Sequence, residues 1–337
     1  MHNQNISSSP IPKVSVIVPV YNAELYVERA IVSLMEQTLD DIQVIIIDDG
    51  SKDNSRHVIE KVISRYPERY SQVILISREN RGVAATRAQG MELATGDYII
   101  HLDSDDWVEL NWLENLYSKA ISCDADVAVC DYFVESYNKT HVVCEKVASE
   151  GPVCVKNLLL GHVSNSCWNK LVKANLFHEN GIRFYDEYDM GEDFLVTFLV
   201  FNNARNVIHI NTPLYHYNKI NENALTKSYS KKALEDLIGI VMLTEHYLVD
   251  NGRLSLYSNE LEVFKLGVKL QFALHYHNEI DRIKLAFDLY PDINGKIFKS
   301  SFKILKIAYF LKRCNLLFIY KYSYDLWKWL RINFLRD

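Results

Sequence analysis

The chain has 337 residues, enough for about two domains with a sizeable core, which excludes a small peptide or a disulfide-stabilised miniprotein. Its 48% hydrophobic and 24% charged residues, with 12 Gly and 7 Pro, are typical of a globular protein and exclude a collagen-like or disordered chain. The net charge of −6 is uneven: residues 296–337 carry ten Lys/Arg against two acidic residues, a net of +8, which leaves −14 for residues 1–295. An acidic body repels phosphate backbones, so no nucleic acid is expected as a partner.

The cysteines and the apolar runs indicate a cytoplasmic protein. Six cysteines lie far apart with no CxxC pair, which predicts reduced thiols. The first residues, MHNQNISSSPIPK, lack a basic segment followed by an apolar one, so no secretory signal is expected. The longest candidate for a membrane span, residues 304–320, is interrupted by Lys306, Lys312 and Arg313. Any membrane contact is therefore expected to be peripheral.

Residues 14–133 alternate between β-branched apolar runs, typical of strands buried on both faces, and segments with helical periodicity. The predicted strands are Val14 to Tyr21, Ile42 to Asp48, Val73 to Ser77, Asp97 to Asp103 and Asp126 to Phe133. The predicted helices are Glu24 to Gln37 with Asn22 as its cap, Ser55 to Arg65, Val83 to Ala94 and Glu109 to Ser122. This alternation predicts an α/β fold in which helices cover both faces of a parallel sheet.

The pattern weakens beyond about residue 135, where short segments rich in Asn, His and aromatic residues continue to Tyr217. From Lys231 onward nearly all residues have helical periodicity, and the polar stretch from Asn218 to Ser230 separates the two parts. We therefore expect a flexible lead (1–12), an α/β domain (13–217), a linker (218–230) and a helical C-terminal region (231–337).

The predicted strand ends are polar, and ligands of open parallel sheets bind beyond the carboxyl ends of the strands. Asp48 and Asp49 follow the second strand, and Asp103, Asp105 and Asp106 follow the fourth. Crowded carboxylates repel one another unless a cation compensates, and this set suits Mg²⁺ or Mn²⁺. The alternative for an isolated DxD is an acidic turn that caps the next helix, but the aspartates after the second strand favour the metal.

Four motifs at these strand ends, PVYN, DDGSKDNS, NRGVAATRAQG and HLDSDDW, resemble in order and spacing the signature of family 2 glycosyltransferases. GEDF at residues 191–194 resembles the acidic motif that follows in that family. The resemblance covers roughly residues 13–217 and implies the GT-A fold, a Rossmann-like, mostly parallel sheet with helices on both faces. It also implies that this domain is catalytic and binds a nucleotide-sugar donor.

The resemblance implies a role for residues at each strand end. Pro19, Tyr21, Glu24 and Asp49 would bind the nucleotide base and ribose. Asn80, Gly82 and Arg87 would lie along the diphosphate. Asp103, Ser104 and Asp105 would lie at the ribose and the metal. Asp106 would have a supporting or helix-capping role. Taken alone, Tyr21 would be interpreted as a core aromatic and Gly82 as a helix start. The family usually has Asn after the arginine that Arg87 matches, whereas this chain has Ala88.

The implied chemistry is a single displacement with inversion, assisted by Mn²⁺ or Mg²⁺ acting as a Lewis acid on the departing diphosphate. Asp193 is the predicted base for the acceptor hydroxyl, with Glu192 as the alternate. The other interpretation is that both are ordinary acidic residues at a helix N-terminus. The QxxRW-type segment of processive relatives is absent, so one sugar is expected per binding event.

Two further features are less specific. Trp168, Asn169 and Lys170 resemble a segment that plausibly lines the acceptor site in the family, although a buried Trp is an equally natural interpretation. His216 is a candidate third metal ligand, and the alternative is a structural histidine.

The basic end predicts an amphipathic helix. Lys296, Lys299, Lys303 and Lys306 recur at helical spacing, with apolar residues on the other side: Ile297, Ile304, Leu305, Ala308 and Leu311. Residues 296–337 would then lie on an anionic cytoplasmic leaflet, at the inner face of the cell membrane, where a lipid-linked acceptor is presented. Alternatively, the apolar face packs on the catalytic domain or on another subunit, and the lysines are solvated.

The sequence thus predicts a glycosyltransferase that moves one sugar, from a UDP-linked donor, to a carbohydrate or lipid-linked saccharide acceptor in surface polysaccharide or lipopolysaccharide synthesis. The biosynthetic role is implied by the family alone. Two alternatives remain, a non-catalytic nucleotide-sugar-binding protein and a DxDx(T/V) phosphatase, whose Thr/Val is missing here. A dinucleotide oxidoreductase is excluded because PVYNAEL has no glycine.

Overall fold

The computed structural model describes residues 11–221, 230–276, 279–320 and 322. The chain divides into two compact units, residues 1–223 and 224–337. The first unit is an α/β domain, and the described part of the second is helical.

The first half of the sheet is parallel and follows the sequence prediction. Strands β1 (Val14–Val20), β2 (Ile42–Asp48), β3 (Val73–Ser77) and β4 (Tyr98–His101) lie in the order β3-β2-β1-β4. Helices α1 (Val27–Met35), α2 (Ser55–Ile63), α3 (Val83–Leu93) and α4 (Trp112–Ser122) connect or follow them, with a 3₁₀ helix at Pro67–Gln72 before β3. Both β1 and β2 are buried along nearly their whole length, as expected for strands covered on both faces.

Asn22 does not cap α1, contrary to the sequence prediction. The helix begins at Val27, and Asn22 has a left-handed conformation with φ 48°. Its backbone N–H donates to Ser51 Oγ (3.0 Å), and its Oδ1 accepts from the Lys52 N–H (2.7 Å). Asn22 therefore ties the loop after β1 to the loop after β2, because Asn tolerates this conformation and carries a short amide.

The second half of the sheet is mixed. It contains β5 (Trp107–Val108), β6 (Val127–Glu135), β7 (Thr140–Val143), β8 (Lys170–Lys173) and β9 (Val207–Asn218). The order continues as β4-β8-β6-β9-β5, with β7 paired to β6. Since β8 is antiparallel to both β4 and β6, the expected parallel neighbour of β4 is displaced by one position. Helices α5 (Gly151–Leu159), α6 (Ala174–Asn180) and α7 (Glu192–Asn203) complete this half.

Close packing fixes α3 against the sheet. A Cβ atom on Gly90 of α3 would lie 2.4 Å from Ile17 Cγ2 of β1. Only glycine permits this approach, so α3 lies closer to β1 than a larger residue would allow. Arg87 is one turn before Gly90 on the same helix, so this packing places the backbone of Arg87 close to the sheet.

The second unit contains α8 (Lys231–Asp250), α9 (Leu254–His275), α10 (Ile280–Asp288), a 3₁₀ helix at Pro291–Lys299 and α11 (Lys303–Arg313). Ser230 caps α8 by accepting from the Ala233 N–H (3.1 Å). Within the described ranges, none of the helices combines the length and the apolarity that a membrane crossing needs.

The single basic helix predicted across residues 296–311 is wrong. Ser300 has an extended conformation, and its Oγ accepts from the Phe302 N–H (3.3 Å), a local bond that competes with helix continuation. The inward residues Ile297, Leu305 and Ala308 are fully buried in an apolar cluster of this same unit.

Candidate active site

The DxD turn follows β4 and is held from behind by β9. The Asp106 side chain is 1% exposed and accepts from Tyr215 Oη (2.7 Å) and from the Asn218 N–H (2.7 Å). The same tyrosine oxygen accepts from the Asp103 N–H (3.2 Å). Asp106 is therefore a structural residue that fastens the turn, and it does not cap α4, which begins at Trp112 with Asn111 before it.

The two other aspartates of the turn are available to a ligand, with the half-buried Ser104 between them. Asp105 Oδ2 accepts from Asn221 Nδ2 (2.8 Å), and the Asp105 carbonyl accepts from Asn218 Nδ2 (3.0 Å). Burial raises the pKa of Asp105, and burial with the neighbouring Asp193 and Asp105 raises the pKa of Asp103 to about 6, against the opposing effect of Arg87. Removing these carboxyls from water favours any cation that binds them.

Arg87 joins the DxD turn to the acidic motif. Its Nη2 donates to Asp103 Oδ1 (2.7 Å), and its Nη1 donates to Asp193 Oδ1 (2.7 Å) and to Glu192 Oε1. Burial alone would lower the pKa of the guanidinium, but the surrounding carboxylates, Asp193 first, hold it well above its ordinary value. Arg87 therefore holds carboxylates of the DxD turn and of α7 around one guanidinium. The family resemblance implied that Arg87 lies along the diphosphate of the donor. In the structure its guanidinium is instead paired with three carboxylates.

Glu192 and Asp193 begin α7 but differ in their surroundings. Burial and the neighbouring Asp193 raise the pKa of Glu192 to about 8. One guanidinium cannot balance three carboxylates, so a proton is retained, and Glu192 keeps it at neutral pH. The Asp193 side chain is 17% exposed against 9% for Glu192, and its Oδ1 also accepts from Cys167 Sγ (3.2 Å). Asp193 is thus the more accessible of the two carboxylates.

Asp49 organises the loop after β3. Its carboxylate accepts from Arg78 Nε (2.8 Å), from the Arg81 N–H (3.0 Å) and from the Gly82 N–H (2.8 Å). Asp48 similarly accepts from the Ser51 N–H (3.0 Å). The aspartate pair after β2 therefore shapes the loops that surround the strand ends.

The other predicted nucleotide-side residues lie at the same edge of the sheet. Tyr21 is 51% exposed, so the interpretation as a core aromatic is wrong for it. Glu24 accepts from the Asn54 N–H (2.8 Å), Pro19 is half-buried near the end of β1, and Asn80 is exposed.

Gly82 lies against a carboxylate that the sequence did not reveal. Its φ is 92°, and a Cβ atom there would lie 2.4 Å from Asp189 Oδ1. The Ala84 N–H, in the first turn of α3, donates to the same oxygen (3.4 Å). Asp189 thus occupies the N-terminus of α3, a position that favours negative charge. It lies two residues before the GEDF motif, and this proximity is the one sequence signal that could have indicated it.

His216 is not brought to the DxD turn. Its Nδ1 contacts Glu135 (2.7 Å) and its Nε2 contacts Glu109 (2.9 Å). The ring is stacked between Trp107 and Phe133, with centroid distances of 4.8 and 4.5 Å. With both nitrogens engaged and both faces covered, His216 has a structural place in the sheet.

Trp168, Asn169 and Lys170 lie beneath the site and not on its surface. All three are buried, and Lys170 Nζ donates to the carbonyls of Ser164 (2.9 Å) and Ser166 (2.7 Å). Trp168 stacks on Tyr215 at 4.1 Å. Trp168 therefore supports the tyrosine that holds the DxD turn, and Lys170 ties together the loop before β8.

The donor set suits a hard divalent cation that is completed by a ligand. Among the residues described, no three His, Cys, Asp or Glu side chains are placed to hold a metal ion by themselves. Two carboxylates, Asp103 and Asp105, fit Mg²⁺ or Mn²⁺, which take one or two carboxylates together with phosphate oxygens and water. Their raised pKa values are the structural sign that positive charge would stabilise them.

Known structures share this fold. Staphylococcus aureus TarS 1–349 in complex with UDP-GlcNAc superposes with a TM-score of 0.63 at 19% identity, over 94% of this chain and 91% of that one. The mannosyltransferase PcManGT from Pyrobaculum calidifontis, in complex with GDP-Man and Mn²⁺, gives 0.51 at 14% identity, over 98% and 89%. The first unit thus has the GT-A fold, as the sequence predicted.

The sequence relatives identify the family. The glycosyl transferase family 2 model matches residues 15–175. The putative glycosyltransferase EpsH of Bacillus subtilis is 32% identical over 260 residues, 75% of this chain and 74% of that protein. The chain belongs to glycosyltransferase family 2 and is a glycosyltransferase, which removes the phosphatase alternative.

Proposed function

We propose that the protein transfers one sugar from a UDP-linked donor to an acceptor hydroxyl with inversion at the anomeric carbon. The observation that carries the proposal is the Arg87 cluster, in which one guanidinium holds Asp103 of the DxD turn and Asp193 of α7, each at 2.7 Å. Donor-side and acceptor-side carboxylates thus converge at one edge of the sheet, where a displacement needs both.

The donor is proposed to lie across the carboxyl ends of β1, β2 and β4. Tyr21 and Glu24 border the base side, and Asp49 fixes the loop that carries Asn80 and Gly82. Binding of UDP-GlcNAc by TarS, which shares the fold, supports a uridine donor.

Asp103 and Asp105 would hold Mn²⁺ or Mg²⁺. When bound, such an ion supplies Lewis-acid neutralisation of the departing nucleotide diphosphate. The hard oxygen donors and the Mn²⁺ present in the PcManGT complex support this assignment.

Asp193 is proposed to act as the general base. The acceptor O–H loses its proton to the Asp193 carboxylate while its oxygen bonds to the anomeric carbon. The bond from that carbon to the diphosphate oxygen breaks, and the nucleotide diphosphate leaves with the electron pair. Such a base contributes about 10²- to 10⁴-fold in rate. Arg87 and the Cys167 thiol orient the carboxylate through Oδ1, which leaves Oδ2 for the acceptor.

We further propose that the acceptor is a carbohydrate or lipid-linked saccharide of surface polysaccharide or lipopolysaccharide synthesis, and that the reaction is cytoplasmic. The family resemblance supports the first part. The second is supported by six cysteines that are all free thiols, as is usual in reducing compartments.

Donor binding and transfer, measured separately, test the assignment. A screen of nucleotide-sugar hydrolysis with Mn²⁺ or Mg²⁺, followed by acceptor trials, identifies the substrates. Asp103→Ala and Asp105→Ala should weaken metal-dependent donor binding in calorimetry. Asp193→Asn should bind the donor normally and lose transfer by at least about 10²-fold.

The matched control is Asp292→Asn, which changes an exposed aspartate of the second unit and should leave both measurements unchanged. Full transfer by Asp193→Asn would remove the base assignment. Donor binding without transfer or hydrolysis in the wild type, over the whole acceptor panel, would instead support a nucleotide-sugar-binding protein.

A further inference from the structure

Helix α11 is apolar on two opposite faces. Leu305 and Ala308 are fully buried in the core of the second unit. On the opposite side, Ile307 and Phe310 are 52% and 56% exposed, and they lie one helical turn apart. The apolar residues identified from the sequence, Ile297, Ile304, Leu305, Ala308 and Leu311, do not include this exposed pair; the structure buries or half-buries all five.

Basic side chains surround this exposed pair. At helical spacing, Lys303 lies on the same face as Ile307 and Phe310, and Lys306 and Arg313 lie along one flank. We call these five residues the α11 surface. Further apolar exposure follows in the chain, where Phe318 is 52% exposed.

The positive charge of the α11 surface is not neutralised within the unit. Residues 296–313 contain six Lys/Arg and no acidic residue. Two of the six have partners, Lys296 with Glu262 and Lys312 with Asp288. In the described part of the chain the other four form no ion pair: Lys299, Lys303, Lys306 and Arg313.

The exposed apolar pair and the unpaired basic residues together favour one class of partner over others. A second copy of the chain would place like charges opposite each other, at a cost to association. A nucleic acid would satisfy the lysines but leave Ile307 and Phe310 against water. An anionic bilayer satisfies both, because phosphate headgroups attract Lys and Arg while the acyl boundary accepts apolar side chains.

We propose that the α11 surface docks the C-terminal unit on a bilayer containing anionic lipids. Ile307 and Phe310 enter the headgroup–acyl boundary, and Lys303, Lys306 and Arg313 contact lipid phosphates. Each cationic residue near such a surface and each buried apolar side chain adds to the affinity. This interaction is separate from sugar transfer, and it concerns a face whose residues take no part in the fold of the unit's core.

Vesicle co-sedimentation of the full-length protein tests the docking. The probes are phosphatidylcholine vesicles with and without 30% phosphatidylglycerol, a composition of about one anionic lipid in three. The wild type should bind the anionic vesicles, bind the neutral ones at least about tenfold less, and lose most binding in high salt, which screens charge. Ile307→Ser/Phe310→Ser and Lys303→Glu/Lys306→Glu should each weaken binding at least about tenfold.

The control variant is Met242→Ser/Val249→Ser, which changes two residues of α8 that are 62% and 53% exposed, and it should bind as the wild type does. All substituted side chains are at least partly exposed, so unchanged circular dichroism and unchanged transfer to a soluble acceptor are expected. Those readouts separate failure of docking from failure of the proposed function.

Three results would overturn the proposal. The first is equal binding to neutral and anionic vesicles. The second is a dimer in sedimentation velocity that Ile307→Ser/Phe310→Ser dissociates while vesicle binding is unchanged, which would assign the face to a second copy. The third is a pair of observations: both double variants bind vesicles normally, and removal of residues 323–337 abolishes binding. That result would assign docking to residues 323–337 instead.

Discussion

Replacing Glu192 by Gln should stabilise the protein, and increasingly so as the pH rises. The carboxyl is buried beside Asp193 and shares the Arg87 guanidinium with two other carboxylates, which raises its pKa from the ordinary 4.5 to about 8. A carboxyl with a raised pKa keeps its proton in the folded state over a pH range in which the unfolded chain has lost it. The contribution of Glu192 to stability is therefore fully present below about pH 4.5 and is lost as the pH rises towards 8.

The size of the effect follows from the two pKa values. From these values, ionisation of Glu192 lowers the free energy of unfolding by about 3 kcal/mol at pH 7 and about 4 kcal/mol at pH 8, but by less than about 1 kcal/mol at pH 5. Gln imitates the protonated acid and cannot ionise, so Glu192→Gln removes this loss. For a unit of this size about 4 kcal/mol corresponds to a rise in Tm of roughly 10 °C at pH 8.

The assay is thermal unfolding at pH 5, 7 and 8 without divalent cations, with transfer measured in parallel. Glu179→Gln, which changes an exposed carboxylate on α6, is the control and should shift Tm little at any of the three pH values. A Tm difference between Glu192→Gln and wild type that does not grow with pH would refute the protonated state of Glu192. Loss of transfer comparable to that of Asp193→Asn would show that Glu192 is the base.

Three further substitutions test parts of the structure that support the site. Gly82→Ala should lower Tm more than Gly161→Ala. Both glycines have a positive φ, and at Gly82 (φ 92°, ψ 164°) an alanine adds about 1–3 kcal/mol of backbone strain. Only at Gly82 does the new Cβ also meet a carboxylate, that of Asp189. Tyr215→Phe should cost about 1–3 kcal/mol, because the buried Asp106 loses a donor, and should raise the donor KM; an unchanged KM would show that the tyrosine does not position the DxD turn. Gly151→Ala should destabilise by at least about 1–3 kcal/mol through contact with a carbonyl oxygen only 2.1 Å from the new Cβ, while kcat of the folded fraction is unchanged.

The first half of the domain could be predicted closely because its signals are local. Strands Ile42–Asp48 and Val73–Ser77, which are rich in β-branched residues, have the predicted bounds. Strands Val14–Val20 and Tyr98–His101 are shorter than predicted, by one and three residues. The turn Asp103–Asp106 was found because adjacent carboxylates are costly without a ligand, and that cost can be inferred from three neighbouring letters. The fold class and the family were confirmed for the same reason, since both depend on motifs at strand ends.

The remaining features depend on contacts between distant parts of the chain. Arg87 and Glu192 are 105 residues apart, and no local pattern indicates that one guanidinium serves both acidic motifs. The insertion of β8 between β4 and β6 likewise depends on a pairing that four residues of sequence cannot specify. The helix break at Ser300 was not predicted because the lysines keep helical spacing on both sides of it. The break is accompanied by a hydrogen bond from the Phe302 N–H to Ser300 Oγ, which no spacing of residues indicates.

The clamp of β9 on the DxD turn has a consequence for the order in which this enzyme matures on the ribosome. Tyr215 and Asn218 reach Asp103 and Asp106 across 112 residues, and the region that the family model matches ends at residue 175. A nascent chain that has emerged only that far can pair β1 to β4, but its DxD turn lacks the strand that anchors it. Because a domain generally folds as a unit during synthesis, the turn can be anchored only after residues 207–218 have emerged and entered the sheet. A chain truncated before residue 207 should therefore have an unanchored DxD turn and no transferase activity.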